Sequence, residues 1–167
     1  MKFLTFTSND FTANDPSLYV PASQISAVAT GFSDESAVLL GMFSMPGNAA
    51  MHYVVRGSQQ QVAAEVSRGL GYPLIGIHTD SDDDQLGICL LFVNPSFITA
   101  ILPAANEERS LLSVMMAPPS GNMHATSIHS RVDMLALISG WQDNKNFGVG
   151  YVALENGAIV AKPFKEN

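Results

Sequence analysis

Asp80, Asp82 and Asp84 stand at alternate positions in the run His78-Thr79-Asp80-Ser81-Asp82-Asp83-Asp84-Gln85. Alternate carboxylates open the calcium loop of an EF-hand, where hard oxygen donors at the first, third and fifth positions surround one cation. The rest of that pattern is missing. The sixth position is Gln85 instead of Gly, the twelfth is Leu91 instead of Glu, and the flanks read as strands. The segment therefore reads as a solvated acidic hairpin turn, with weak Ca²⁺ binding by Asp80, Asp82 and Asp84 as its functional alternative. No other cofactor is expected.

The histidines offer a second chemistry. His52 follows Met51 and His124 follows Met123, each a short way beyond a Gly-Asn pair. His129 comes five residues after His124. Side chains on a regular strand alternate faces, so an odd spacing sends these two to opposite sides, away from any shared metal. No His-x-His or His-Glu-x-x-His occurs. They read as structural histidines, able to hydrogen-bond at a subunit seam and to respond to pH there. Nucleophilic and nucleotide motifs are missing as well. There is no Gly-x-Ser-x-Gly elbow, and no Gly-x-Gly-x-x-Gly or Walker loop. Cys89 is the only cysteine, which excludes an intrachain disulfide. Inside Leu86-Gly87-Ile88-Cys89-Leu90-Leu91-Phe92 it reads as a small buried hydrophobe.

The elements that would carry these residues repeat. Tyr19–Pro46 aligns without a gap on Phe92–Pro119, and Ser23, Ile25 and Ala27 recur as Ser96, Ile98 and Ala100. The match resumes at Gly47-Asn48 and Met51-His52 against Gly121-Asn122-Met123-His124, and ends with Gly69-Leu70 against Gly140-Trp141. Such self-similarity indicates duplication of a unit of about 70 residues. In the first copy, strands are expected at Lys2–Thr7, Leu18–Val20, Gln24–Phe32, Ala37–Phe43 and Met51–Val55. Along Gln24–Phe32, alternation puts Ile25, Ala27 and Ala29 on one face and Val28 on the other. Ser58 and Gln61 have capping-box spacing ahead of a helix bearing Val62, Ala63, Val66 and Leu70. In the second copy, strands are expected at Leu74–His78, Leu86–Val93, Phe97–Leu102, Leu111–Met116 and His124–His129. Ala37–Phe43 and Leu111–Met116 are apolar enough to be covered on both faces. A short helix follows over Arg131–Ser139, its apolar face made of Met134, Leu135, Leu137 and Ile138, ended by Gly140. Asn156-Gly157 then marks a hairpin, closing within the chain or exchanged with another subunit.

The expected fold is α+β and mainly antiparallel: a duplicated ββββα unit (1–72 and 73–146) with a C-terminal hairpin and tail (147–167), related by a pseudo-twofold. No Pro/Ser/Gly-rich linker separates the copies. A unit this small buries a low fraction of its surface alone, so the two are expected to pack as one body.

Composition narrows the partners. A net charge of −7 with eight basic residues argues against nucleic acid, whose binding depends on phosphate neutralisation. No apolar run is long enough for a membrane span, and no signal-peptide core opens the chain, so a cytoplasmic origin is expected. Only 14% of residues are charged, against roughly 25% in ordinary domains. Interface cores are depleted of charge, which favours self-association. Met115, Met123, His124, Trp141 and Phe147 are the interface candidates. Met42, Met45, Met51 and Met116 lie with Met115 and Met123 in matching regions of the two copies; the set reads as ordinary core, with a Met-lined seam between units or subunits as the alternative.

The run Val93-Asn94-Pro95-Ser96-Phe97-Ile98-Thr99-Ala100-Ile101, with the strand, turn, strand and helix after it, resembles small β-rich proteins of marine phages and uncultured marine bacteria. In those, Pro-Ala or Asn-Pro precedes an Ile-x-x-Ile strand and an amphipathic helix closes the unit. The resemblance implies a virion-associated or assembly role and brings no catalytic residues. The expected function is that of a non-enzymatic structural or interaction protein forming a symmetric homo-oligomer. The alternative is a module binding a small molecule or divalent metal between the two units.

Overall fold

The computed structural model describes residues 2–8, 14–43, 52–80, 89–117 and 121–165. Within them the chain forms an α+β fold dominated by antiparallel strands. The first half contains β1 (Phe3–Thr7), β2 (Ser17–Pro21), β3 (Ile25–Thr30), β4 (Ser36–Gly41), β5 (His52–Arg56) and α1 (Gln59–Leu70). The second half contains β6 (Leu74–His78), β7 (Leu90–Val93), β8 (Ile98–Pro103), β9 (Ser110–Met115), β10 (Asn122–Ser127) and α2 (Arg131–Asn144). The hairpin β11 (Tyr151–Glu155) and β12 (Ala158–Lys162) follows. A single 3₁₀ turn precedes both β3 and β8, at Ala22–Gln24 and Pro95–Phe97.

A seven-stranded sheet with the order β12-β11-β6-β7-β3-β4-β5 is the spine. Its only parallel junction is β11 on β6. One face packs against the β1–β2 hairpin and α1, where Leu4, Phe6 and Val20 meet Val28, Leu39, Val62 and Val66. The other face packs against α2 and the separate sheet β10-β9-β8, where Ala27, Leu40 and Ile75 meet Leu112, Val114, Met134 and Leu137. Ala37 and Leu39 enter the first core, Val38 and Leu40 the second, so β4 is covered on both faces as its composition requires.

Local chemistry accounts for the ends. Ser58 accepts from the Gln61 backbone N–H while the Gln61 side chain accepts from Ser58 N–H, a complete capping box. Gly71 closes α1 at φ +82°, a conformation costly for residues with a Cβ. Asn156 and Gly157 both have positive φ, as a two-residue type I′ hairpin demands. This hairpin closes within the chain, on β6.

Several expectations are corrected. Each half places five strands ahead of its helix, one more than the expected ββββα unit, because the opening hairpin contributes two strands in addition to the three that follow. Register shifts between Ile25 and Ala27, so Ile25 shares the first core with Val28 while Ala27 and Ala29 face the second. A bulge resets strand alternation. The outer face of β9 is covered only in part: Ser113 is buried and Leu111 half-buried, whereas Met115 at the strand's end is exposed. β10 ends at Ser127, which leaves His129 outside the strand. α2 runs through Gly140 and Trp141 to Asn144. Gly140 lets β12 approach, since a Cβ there would lie 2.5 Å from the Ile159 side chain. Leu135 points away from the core that Met134 and Leu137 enter. Cys89 is exposed, because β7 begins only at Leu90 and the cysteine stands beyond the covered part of the sheet.

Candidate interaction surface

The interface candidates go to different places. The three-stranded sheet turns Ile98, Leu112, Val114, Met123 and Ala125 toward α2 and the large sheet. The opposite face carries Leu102, Met115 and His124, which are exposed, beside Leu111 and Ser113. Met115 and His124 thus share one solvent face, and Met123, between them in the chain, points inward. Thr99 donates to Ser113 Oγ or to Asn122 Oδ1 at 3.0 and 3.1 Å, fixing that edge. Phe147 is half exposed and lies over Gly150, where a Cβ would come 2.7 Å from its ring.

Trp141 is a strut. Its indole N–H donates to the Pro73 carbonyl at 2.7 Å, and its ring meets Tyr72 edge-on at 5.6 Å. Tyr72 in turn donates to Asn94 Oδ1 at 2.9 Å, and its hydroxyl lies 3.2 Å from Ser96 Oγ. Asn94 is 1% exposed. Its amide donates to the Ile25 carbonyl at 3.0 Å and its own backbone N–H to the Ser26 carbonyl at 2.8 Å. This cluster ties the turn after α1, the start of α2's partner strands and the β3–β7 junction into one unit. The sequence marked Asn94-Pro95 only as part of a motif; no spacing signal singles out the buried amide.

Of the acidic run, Asp80 lies within the described residues. Asp80 pairs with Arg109 beside a cleft of about 440 Å³ that also includes Asn106 and Thr126. Its backbone N–H donates to the Thr126 carbonyl at 2.7 Å, which joins the end of β6 to β10. A guanidinium already satisfies Asp80, so a cation there competes with Arg109. Asp82 and Asp84 lie outside the described residues, as do Met45 and Met51. Among the described residues no three His, Cys, Asp or Glu side chains converge. His52 and His124 are exposed on different sheets. His129 is held below its ordinary pKa of 6.5, first by burial and then by His78, with Asp133 acting in the opposite direction.

A further apolar surface escaped sequence reasoning. Val132 and Leu135 are exposed along α2, and with Arg131 and Ile101 they line a recess of about 320 Å³. Phe3 and Tyr19 are exposed on the outward face of β1–β2. The helical period places Leu135 on the core-facing stripe, but period alone does not say how wide the covered face is.

Among the described residues no helix is long and apolar enough to cross a membrane. The chain matches no protein-family model, no curated protein and no solved structure.

Proposed function

We propose that this chain is a structural or interaction component without catalytic activity, built from a duplicated unit of hairpin, meander and helix, and that it acts by assembling with copies of itself into a symmetric oligomer. Support for the duplication comes from the common element order of the halves, from the capping serines Ser58 and Ser130, and from bulges at Ile25/Ala27 and Ile98/Ala100. These bulges fall at aligned positions of the two copies.

The observation that carries the assembly reading is the unequal treatment of the two meanders. β3 is sealed along its outer edge by β7. β8, at the same position in the second meander, ends its sheet and pairs only with β9 among the described residues. An unpaired strand edge is a template for another chain, and natural proteins usually blunt it with charge or cover it. This one carries no charged residue, presents exposed Leu102, and shares the recess at Ile101 with exposed Val132 and Leu135. The low charged fraction of the whole chain fits a surface covered by neighbours. A virion-associated assembly is the setting implied by the resemblance in the strand-and-helix pattern. Three chains around an axis, for example, would present similar units with pseudo-sixfold character.

The test is native mass by light scattering on a sizing column across a dilution series. The expected result is a stable integer multiple of the 17.8 kDa chain. A particle of 17.8 kDa at every concentration refutes the reading.

A further inference from the structure

We infer that the open edge of β8 receives β2 from a second copy of this chain, antiparallel, with Ala100 opposite Val20, Ile101 opposite Tyr19 and Leu102 opposite Leu18. The inference rests on the assembly reading above and names the two surfaces that meet.

The template for this junction lies inside the molecule. β7, the second strand of the β6–β7 hairpin, runs along β3 with Ala27 opposite Val93, Val28 opposite Phe92 and Ala29 opposite Leu91. Asn94 N–H donates to the Ser26 carbonyl there. Antiparallel bonds recur every second residue, so Phe92 exchanges both of its backbone bonds with Val28. β2 holds the same rank in its own hairpin. Ala22 N–H donates to the Lys2 carbonyl at 2.9 Å and Ser8 N–H to the Pro16 carbonyl at 3.0 Å. The same alternation turns the N–H and C=O of Tyr19 away from β1. The hairpin leans on β5 from its β1 side, through the Ser8–Val55 bridge. Among the described residues β2 pairs only with β1.

Burial differs between the two hairpins at matching register positions. Leu74 and Phe92 are fully buried on β6–β7, whereas Phe3 and Tyr19 are 56% and 61% exposed on β1–β2. On the receiving side, Ala29 is 1% exposed and Leu102 37%. The helices repeat the contrast. Gln59, one residue beyond its N-cap, donates to the carbonyls of Val28 and Leu90 at 3.1 and 2.9 Å and bridges the β3–β7 seam. Arg131, one residue beyond the N-cap of α2, lines the recess over Ile101 with Val132 and Leu135. In the inferred register Tyr19 of the second copy enters that recess. Arg131 then stands over the seam, with the Ser17 carbonyl of the second copy at the position of the Leu90 carbonyl.

Two features set the character of the junction. Pro21 occupies the position of Asn94 in the other hairpin. It has no N–H to donate and no amide to clamp the neighbouring strand, so the seam between copies is weaker than the seam within one. The chain's third hairpin does not fill the gap: β12 is paired along its length with β11 in the large sheet. The two joining edges are different surfaces, so association runs head to tail until a ring closes.

The test uses the full chain. Tyr19→Lys and Leu135→Lys change exposed side chains, so each variant is expected to keep the wild-type circular dichroism spectrum. Each is expected to weaken association on the order of 100-fold, because the seam would bury an unpaired ammonium group beside the Arg131 guanidinium, and to elute as a 17.8 kDa monomer. Leu18→Cys and Leu102→Cys chains, both also carrying Cys89→Ser, are then mixed under mild oxidation. Facing residues outside the hydrogen-bonded pairs lie within disulfide reach, so a covalent dimer is expected in the mixture and in neither chain alone. An oligomer that survives both lysine substitutions overturns this seam and leaves the assembly reading standing. So does a covalent dimer of the Leu102→Cys chain alone, which would mean a symmetric β8–β8 contact. A wild-type monomer overturns both.

Discussion

Replacing Asn94 by alanine removes one side chain that holds three parts of the molecule. The amide donates to the Ile25 carbonyl, and its oxygen accepts from the Tyr72 hydroxyl and the Ser96 backbone N–H at 2.9 and 3.2 Å. These losses are unequal. Tyr72 retains Ser96 Oγ as a neighbour at 3.2 Å, and Ser96 is exposed, so its N–H can turn to water. Ile25 is completely buried and has no such recourse. An orphaned buried carbonyl costs about 1–3 kcal/mol, and each lost bond with alternatives contributes about 0.5 kcal/mol or more. The expected loss is therefore about 2–4 kcal/mol, or a fall in Tm of about 4–16 °C for a chain of this size. Tyr72→Phe removes only the hydroxyl and should cost about 0.5–1.5 kcal/mol. Asn94→Asp should be at least as damaging as alanine, because it sets a carboxylate oxygen against the Ile25 carbonyl. The assay is urea unfolding at one fixed protein concentration, which holds the contribution of self-association constant. An unchanged m value would confirm that stability alone moved. The reasoning fails if Asn94→Ala lies within about 0.5 kcal/mol of wild type, the scatter of surface substitutions, or if Tyr72→Phe costs more than Asn94→Ala.

Other expectations follow from the same packing. Gly140→Ala should lower stability by about 1–3 kcal/mol on the packing side, since the new methyl meets Ile159 at 2.5 Å. Part of this is offset by the better helix propensity of alanine, about 1 kcal/mol, so calorimetry should show a net loss; a gain would mean that β12 yields freely. Asp80→Asn leaves the partly buried Arg109 without its carboxylate and should cost about 1–2 kcal/mol, between a surface pair and a hydrogen bond to a charged group. The denaturation midpoint at low and high salt checks this, and equal midpoints for mutant and wild type would remove the pair from the account. His129 is neutral more readily in the fold than in the unfolded chain, chiefly through burial. Its contribution is fully present above pH 6.5 and is lost as pH falls toward its depressed folded value. A His129→Gln variant should flatten the melting-temperature profile below pH 6.5; an unaltered slope there would assign the acid sensitivity elsewhere.

What could be read from the sequence was whatever depends on neighbours in the chain. The capping box at Ser58 and Gln61, the turn at Asn156 and Gly157, and the strands 3–7 and 74–78 are set by local sterics and hydrogen bonding. The two-sided cover of β4 followed from its uninterrupted apolar run. Long-range packing decided the rest. α2 passes through Gly140 because Ile159, far away in the chain, fills the space above it. The bulge after Ile25 moved that residue into the opposite core from Ala27, since one extra residue reverses every later side chain. Trp141 became a strut because the Pro73 carbonyl lies within its reach. The pairing of β7 with β3, and the open edge left at β8, are properties of strand order. Residue types determine which segments form strands and helices; which strand edges meet depends on the simultaneous burial of many distant side chains, and that only the tertiary structure decides.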